Sequence, residues 1–206
     1  HLIVYGQDTC PFTHRAWYQL LAMGHDSSKL HLLAGSMQEF ASAGGAMDDK
    51  PVQMHRVQDV LSSEAGKTID ANYKGSEARN VVSMAQVLAV IQEKQKADSD
   101  TSNTLIVDVR SPDRFYGRVD EPRPGLRLGH MPTAVNCFFS DLLDTNKPVR
   151  LKSVEELKRV MTAAGIDVDN ANQKVIASCG SGATACTLAA ALVACGRDPD
   201  SVAIFD

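Results

Sequence analysis

The chain has 206 residues, 44% hydrophobic and 22% charged, with a formal net charge of −4, enough for one substantial core or for one domain and part of another. The acidic balance and dispersed basic residues give no nucleic-acid surface, and no apolar run is long enough to span a bilayer as a helix. Five cysteines, odd in number and irregularly spaced, argue against a disulfide framework and for a reducing, intracellular compartment; without a C-x-x-C pair, no zinc or other metal is expected.

Leu2–Tyr5 predicts a short buried strand and 7–13 a loop. His14–Met23 predicts a helix with Ala16, Trp17, Leu20 and Leu21 on its apolar side. Gly24 stops it, and Lys29–Leu33 gives a second strand. The stretch Ala41–Lys50, rich in small residues, glycine and acid, reads as a domain exit, and 51–78 as a weakly patterned connection. Val81–Lys96 predicts a helix, with Val82, Ala85, Val87, Leu88 and Ile91 apolar, followed by a polar loop over 97–103. Thr104–Arg110 is a strand opening a second domain. Ser153 and Glu156 form a capping box for a helix over 154–164, which Gly165 ends.

The most informative stretch comes next. Lys174–Ser178 is an apolar strand that runs into Cys179-Gly180-Ser181-Gly182, and Ala183–Ala194 predicts a helix. Cys179 therefore stands where a buried strand ends, the side of an open α/β sheet on which ligands bind. Amides of a Gly-rich loop converge, and a helix N-terminus adds positive partial charge, so both favour the thiolate nucleophile. Most free cysteines are small core hydrophobes, a reading that suits Cys137, Cys195 and Cys186, although Cys186 is close enough to the loop to be a redox partner. A core cysteine has no use for three small residues after it, so Cys179 is taken as a reactive thiol. Alternating strands and helices predict an α/β fold, an open and mostly parallel sheet with helices on both faces.

The two ends of the chain resemble each other. Gly6 to Gly24 spans 18 positions and Cys179 to Gly196 spans 17, and in both cases five further positions lead to the next strand, at Lys29 or Ser201. This pattern implies one strand–loop–helix–strand unit used twice. Gly6 falls where Cys179 falls, so the first copy has no nucleophile. A chain that begins on a core strand and ends on one is expected to be cut from something longer.

Three stretches carry a resemblance to the rhodanese superfamily, and within it to the tandem-domain sulfurtransferases. Leu105-Ile106-Val107-Asp108-Val109-Arg110 is similar to the family's opening strand. Gly129-His130-Met131-Pro132-Thr133-Ala134 resembles its Gly-His-Ile-Pro-Gly-Ala turn, with Thr133 in place of the usual glycine. Cys179 to Ala185 resembles its active loop. Arg15-Ala16-Trp17 and Gly24-His25 are similar to the end of the family's inactive N-terminal domain. The resemblance implies two related domains, the first incomplete: 1–50 a remnant of the inactive domain, 51–103 a linker with a helix, and 104–206 the catalytic domain, truncated at its end.

It also implies a chemistry. Thiosulfate-using members carry cations just after the cysteine, where this chain has Gly180 and Ser181. The Cys-Gly-Ser-Gly-x-Thr-Ala pattern is similar to that of 3-mercaptopyruvate sulfurtransferases. Phosphatases of the related branch need an arginine where Ala185 stands. By the resemblance, Cys179 becomes a persulfide, Arg114 and Arg123 hold the substrate carboxylate and carbonyl with Glu121 orienting one of them, and Gly180, Gly182, Ala183 and Thr184 bind through the loop. Ser181 assists catalysis, a role the family is thought to share with a His and an Asp that fall upstream of His1. His130 anchors its turn. The expected partners are 3-mercaptopyruvate and a thiol acceptor such as thioredoxin or a small thiol, or cyanide, with no cofactor, nucleic acid or membrane. The expected location is cytoplasmic or mitochondrial. The alternatives are a thiosulfate sulfurtransferase, or a non-catalytic persulfide-carrying or redox-sensing module.

Overall fold

A computed structural model describes residues 1–8, 10, 12–48, 50, 79–96 and 103–206. The predicted connection over 51–78 and the polar loop over 97–102 lie outside the described residues. The chain opens with β1 (Leu2–Gly6), α1 (Thr13–Ala22), β2 (Leu30–Ser36) and α2 (Met37–Ser42). It continues with β3 (Val81–Val82), α3 (Met84–Lys96), β4 (Thr104–Asp108) and α4 (Pro112–Phe115). Then come β5 (Val135–Asn136), β6 (Leu143–Asp144), β7 (Lys147–Leu151) and α5 (Val154–Ala163). The last elements are β8 (Lys174–Ser178), α6 (Ala185–Ala194) and β9 (Val202–Phe205).

The fold is α/β, as the alternation predicted. A five-stranded sheet has the order β3-β9-β8-β4-β5, and all its pairings are parallel. Its central strands are covered on both faces, so they read as nearly continuous apolar runs. Side chains alternate between the faces. Val107, Val175 and Ala177 pack with Leu157 and Met161 of α5, and with α6 and Trp17 and Tyr18 of α1. Ile106 and Ile176 turn the other way, against Val87 and Ile91 of α3. Helix α6 lies between sheet and α1, and every residue from Ala185 to Leu192 is buried, which is why its sequence is apolar all round. From β4 the chain crosses to β5 on one side and β8 on the other. The switch point between β4 and β8 is therefore where the carboxyl ends of the strands open a crevice.

The two similar units share more than spacing. β1 and β2 pair in parallel from Leu2↔Leu30, and β8 and β9 from Val175↔Val202. Each helix ends in a glycine at positive φ, Gly24 at 89° and Gly196 at 93°. The backbone bonds there match, Gly24 N to Leu21 O and His25 N to Leu20 O in one, Gly196 N to Val193 O and Arg197 N to Leu192 O in the other. Asp26 and Asp198 each then accept the N–H two residues on and cap a short 3-10 turn. Helices α1 and α6 pack on each other, and Glu39 of α2 pairs with Lys147 and Arg150 of β7.

Several expectations need correction. β1 is not buried: Leu2, Ile3 and Tyr5 are 45%, 62% and 58% exposed, because β1 and β2 form a two-stranded sheet of their own. On α1, Trp17, Leu20 and Leu21 face the core as expected, but Ala16 is exposed, and His14, Tyr18 and Ala22 join the inward face. Val81 and Val82 are not helical but form an edge strand beside β9. The helix after them begins at Met84 behind Ser83, whose backbone N–H bonds Gln86 Oε1. Ala85 and Leu88 face solvent, since Val87 and Ile91 take the sheet side. Helix α6 starts at Ala185 rather than Ala183, because the loop runs on through Thr184. The Ser153–Glu156 capping box forms as predicted.

Candidate active site

Cys179 follows the last residue of β8 and is half-buried, its side chain packed on the main core. The chain then turns sharply back into α6. The backbone N–H of Ser181 points at Cys179 Sγ at 3.5 Å. Ser181 itself is exposed, Ala183 and Thr184 are half-buried, and Gly182 is buried at φ 63°. A Cβ at Gly182 would lie 2.9–3.1 Å from side-chain atoms of Asp206, so both the backbone angle and the space demand glycine there. Cys186, one turn into α6, donates its thiol to the Gly182 carbonyl at 3.2 Å. Burial pushes this thiol up to about 12, which keeps it protonated and structural. All five cysteines are free thiols.

The other wall comes from the segment after β4. Asp108 is buried at the end of that strand and takes the Arg110 guanidinium through both oxygens. Arg110 reaches on to Glu121 at 2.7 Å and to the Gly129 carbonyl at 2.7 Å. Glu121 also holds Arg114, from Nε at 3.2 Å and from Nη2 at 2.5 Å. The hydrogen bond from Arg114, with the Arg114 and Arg110 charges behind it, holds the Glu121 carboxyl below its ordinary range. Arg114 thus sits in a fixed plane, with Nη1 making no hydrogen bond among the described residues. It stands beside the cysteine loop, since Nη2 is 3.2 Å from where a Gly180 Cβ would be.

Cys179, Gly180, Ser181, Gly182 and Arg114 are therefore brought together, and Glu121 orients Arg114. Arg123 is not held at the site by any such contact. It is exposed and makes no hydrogen bond or ion pair among the described residues. His130 bonds the Phe115 carbonyl at 2.8 Å and stacks on the Phe115 ring at 3.7 Å, so it braces the turn. Thr133 has φ 65°, the conformation for which the resembling motif uses glycine.

Two contributions were missed. Arg110, quoted only as the end of a strand, is the hinge of the charge network; the signal was a buried aspartate two residues before it. Arg15 of α1 reaches across to the loop and bonds the Ser181 carbonyl at 2.7 Å, a contact 166 positions apart that no local pattern announces. Among the described residues, no group of three or more His, Cys, Asp or Glu is placed to hold a metal, and no helix is long and apolar enough to cross a membrane. What the arrangement offers is an accessible thiol with an amide donor at its sulfur, beside a guanidinium with donors to spare for an anion.

Residues 91–206 match the family model for the rhodanese-like domain. The chain is 30% identical over 207 residues to a 3-mercaptopyruvate sulfurtransferase of Escherichia coli K12, covering 100% of this chain and 62% of that relative. It is 36% identical over 126 residues to a probable 3-mercaptopyruvate sulfurtransferase of Schizosaccharomyces pombe, covering 60% of this chain and 40% of the relative. The crystal structure of SseA from Escherichia coli, described as a 3-mercaptopyruvate sulfotransferase, superposes with a TM-score of 0.68 at 26% identity, covering 100% of this chain and 65% of that one. The chain thus spans about 62–65% of the length of these Escherichia coli proteins.

Proposed function

The chain belongs to the rhodanese-like domain family, and from that premise we propose that it carries the sulfur-transfer site of a 3-mercaptopyruvate sulfurtransferase. One observation carries the reading: Cys179 Sγ meets the Ser181 N–H beside a guanidinium, Arg114, that Glu121 has already oriented. Both relatives named above share that activity by name.

In the first step the Cys179 thiolate attacks the sulfur of 3-mercaptopyruvate. The carbon–sulfur bond breaks, its electron pair leaves as the enolate of pyruvate, and a proton from solvent gives pyruvate. Cys179 keeps the sulfur as a persulfide. In the second step an acceptor thiolate, of a small thiol or a thioredoxin-like protein, attacks the outer sulfur and releases the Cys179 thiolate. Covalent transfer in two steps implies ping-pong kinetics. Arg114 holds the substrate carboxylate with its unused donors, and exposed Arg123 is the outer part of the same clamp. The Ser181 hydroxyl assists at the substrate carbonyl. Preorganised loop amides, through Gly180, Gly182, Ala183 and Thr184, stabilise the sulfur anions without reorganising. The neutral Gly180 and Ser181 favour the keto acid over thiosulfate.

On this reading, residues 1–50 are the end of a silent rhodanese-like domain, 51–103 a connection whose β3 and α3 join the sheet and core of the next domain, and 104–206 the catalytic domain. At Gly6, the counterpart of Cys179, a Cβ would run into the Thr13 side chain, in keeping with a copy that carries no nucleophile.

The test is intact mass of the reduced protein after 3-mercaptopyruvate or thiosulfate. Gain of one sulfur atom on Cys179 from 3-mercaptopyruvate alone is the expected result. Gain from thiosulfate instead moves the assignment to the other branch, and gain from neither makes the module non-catalytic.

A further inference from the structure

The loop that carries the nucleophile is also held from the other unit. Arg15 of α1 donates through Nη1 to the Ser181 carbonyl at 2.7 Å and through Nη2 to Asp206 Oδ2 at 3.0 Å. Asp206, just past β9, lies against Gly182 so closely that a Cβ there would meet it. Arg15, Asp206 and the Ser181–Gly182 peptide thus form one closed contact on the outside of the loop.

We propose that Arg15 is a positioning residue for Cys179, fixing the direction of the Ser181–Gly182 peptide. The chain has no cis peptide bonds among the described residues, and across a trans peptide the C=O and N–H point in opposite directions. With the Ser181 carbonyl drawn outward onto Arg15, the Gly182 N–H is turned to the opposite side. The Ser181 N–H already meets Cys179 Sγ from the loop. Between Ser181 and a glycine, little in the backbone itself opposes a flip of this peptide. Flipped, it would aim the negative end of a carbonyl dipole at the place where a thiolate and then a persulfide anion must form. A charged donor holds a carbonyl more firmly than a neutral one, and Arg15 holds this one at 2.7 Å. The charged pairs around the loop adjoin different residues of it: Arg15 and Asp206 meet Ser181 and Gly182, and Arg114 with Glu121 meets Gly180. The ion pair itself is exposed and adds little to stability, so what Arg15 contributes is direction. The inference rests on Cys179 being the sulfur-accepting thiol.

The experiment compares Arg15→Ala, Arg15→Lys and Asp206→Asn with the parent chain. It reads kcat and KM for sulfur transfer from 3-mercaptopyruvate, and separately the rate at which iodoacetamide alkylates Cys179 at neutral pH, followed by peptide mass. Arg15→Ala should lower kcat and slow alkylation, each by about tenfold, while KM stays within about twofold. Arg15→Lys should recover part of both. Asp206→Asn, which breaks the ion pair but spares the bond to Ser181, should lose less than about threefold. Equal losses in Asp206→Asn and Arg15→Ala would overturn the proposal, because a simple tie between the units would then suffice. Unchanged kcat and alkylation in Arg15→Ala would overturn it too. A parent that fails to turn over 3-mercaptopyruvate, with alkylation still slowed in Arg15→Ala, would sink the substrate reading and leave the loop role standing.

Discussion

Arg114 covers Gly180: its Nη2 lies 3.2 Å from the point that a Cβ on residue 180 would occupy. The missing side chain is what lets the guanidinium stand so near the thiol. Gly180→Ala should make the Arg114 guanidinium give by a few tenths of an ångström and raise KM for 3-mercaptopyruvate about twofold, with a smaller change in kcat, in steady-state kinetics. The same contact bears on specificity. Replacing Gly180 by Arg and Ser181 by Lys should shift preference toward thiosulfate, because the new cations displace Arg114 as they enter. A fixed ratio of the two activities would refute the charge argument.

Glu121 is the joint through which Arg110 and Arg114 are both held, and its side chain is only 4% exposed. Glu121→Gln leaves two guanidinium groups sharing a neutral amide. The loss should be about 1–3 kcal/mol of unfolding free energy, visible as a lower urea midpoint. It should also bring about a tenfold rise in KM as Arg114 loses its fixed plane. A stability loss with KM unchanged would show that Arg114 does not hold the substrate.

The parallel sheet and the cysteine loop were legible because both are local. Val175, Ile176 and Ala177 announce a strand buried on both faces, and Cys179-Gly180-Ser181-Gly182 breaks the run abruptly. The doubled unit was legible for the same reason, since Gly24 and Gly196 punctuate nearly equal spacings. What was not legible depends on packing. Nothing in Leu2-Ile3-Val4-Tyr5 says that its strand will pair, among the described residues, with β2 alone. A two-residue edge strand at Val81-Val82 looks like the first turn of the helix behind it. Arg15 and Ser181 meet only because α1 lies on α6, and Arg123, matched by motif, has no hydrogen bond or ion pair among the described residues.

That helix contact carries a titratable group. His14 is buried on α1 against Thr187 of α6, with Nδ1 3.3 Å from Oγ1. Burial lowers its folded pKa from 6.5 to about 4. The unfolded chain therefore binds the proton first as pH falls, so stability is full above about pH 6.5 and drains away toward pH 4. The shift corresponds to about 3 kcal/mol. Urea midpoints taken across this window should fall with acid, and His14→Asn should flatten the dependence. An unchanged slope in the variant would place the acid sensitivity elsewhere.

Thr133 holds a left-handed backbone, φ 65°, at an exposed position in the turn that His130 braces. For a β-branched residue that conformation costs about 1–2 kcal/mol. Glycine removes the cost but gains freedom in the unfolded chain, which returns about 0.5–1 kcal/mol. Because the side chain is exposed, little packing is lost with it. Thr133→Gly should therefore stabilise the fold by about 0.5–1 kcal/mol, seen as a higher urea midpoint at unchanged slope. The turn also accepts Arg110 Nη2 at the Gly129 carbonyl, so relieving strain here should leave KM for 3-mercaptopyruvate unaltered. A lower midpoint would mean that the Thr133 side chain supports the turn it strains.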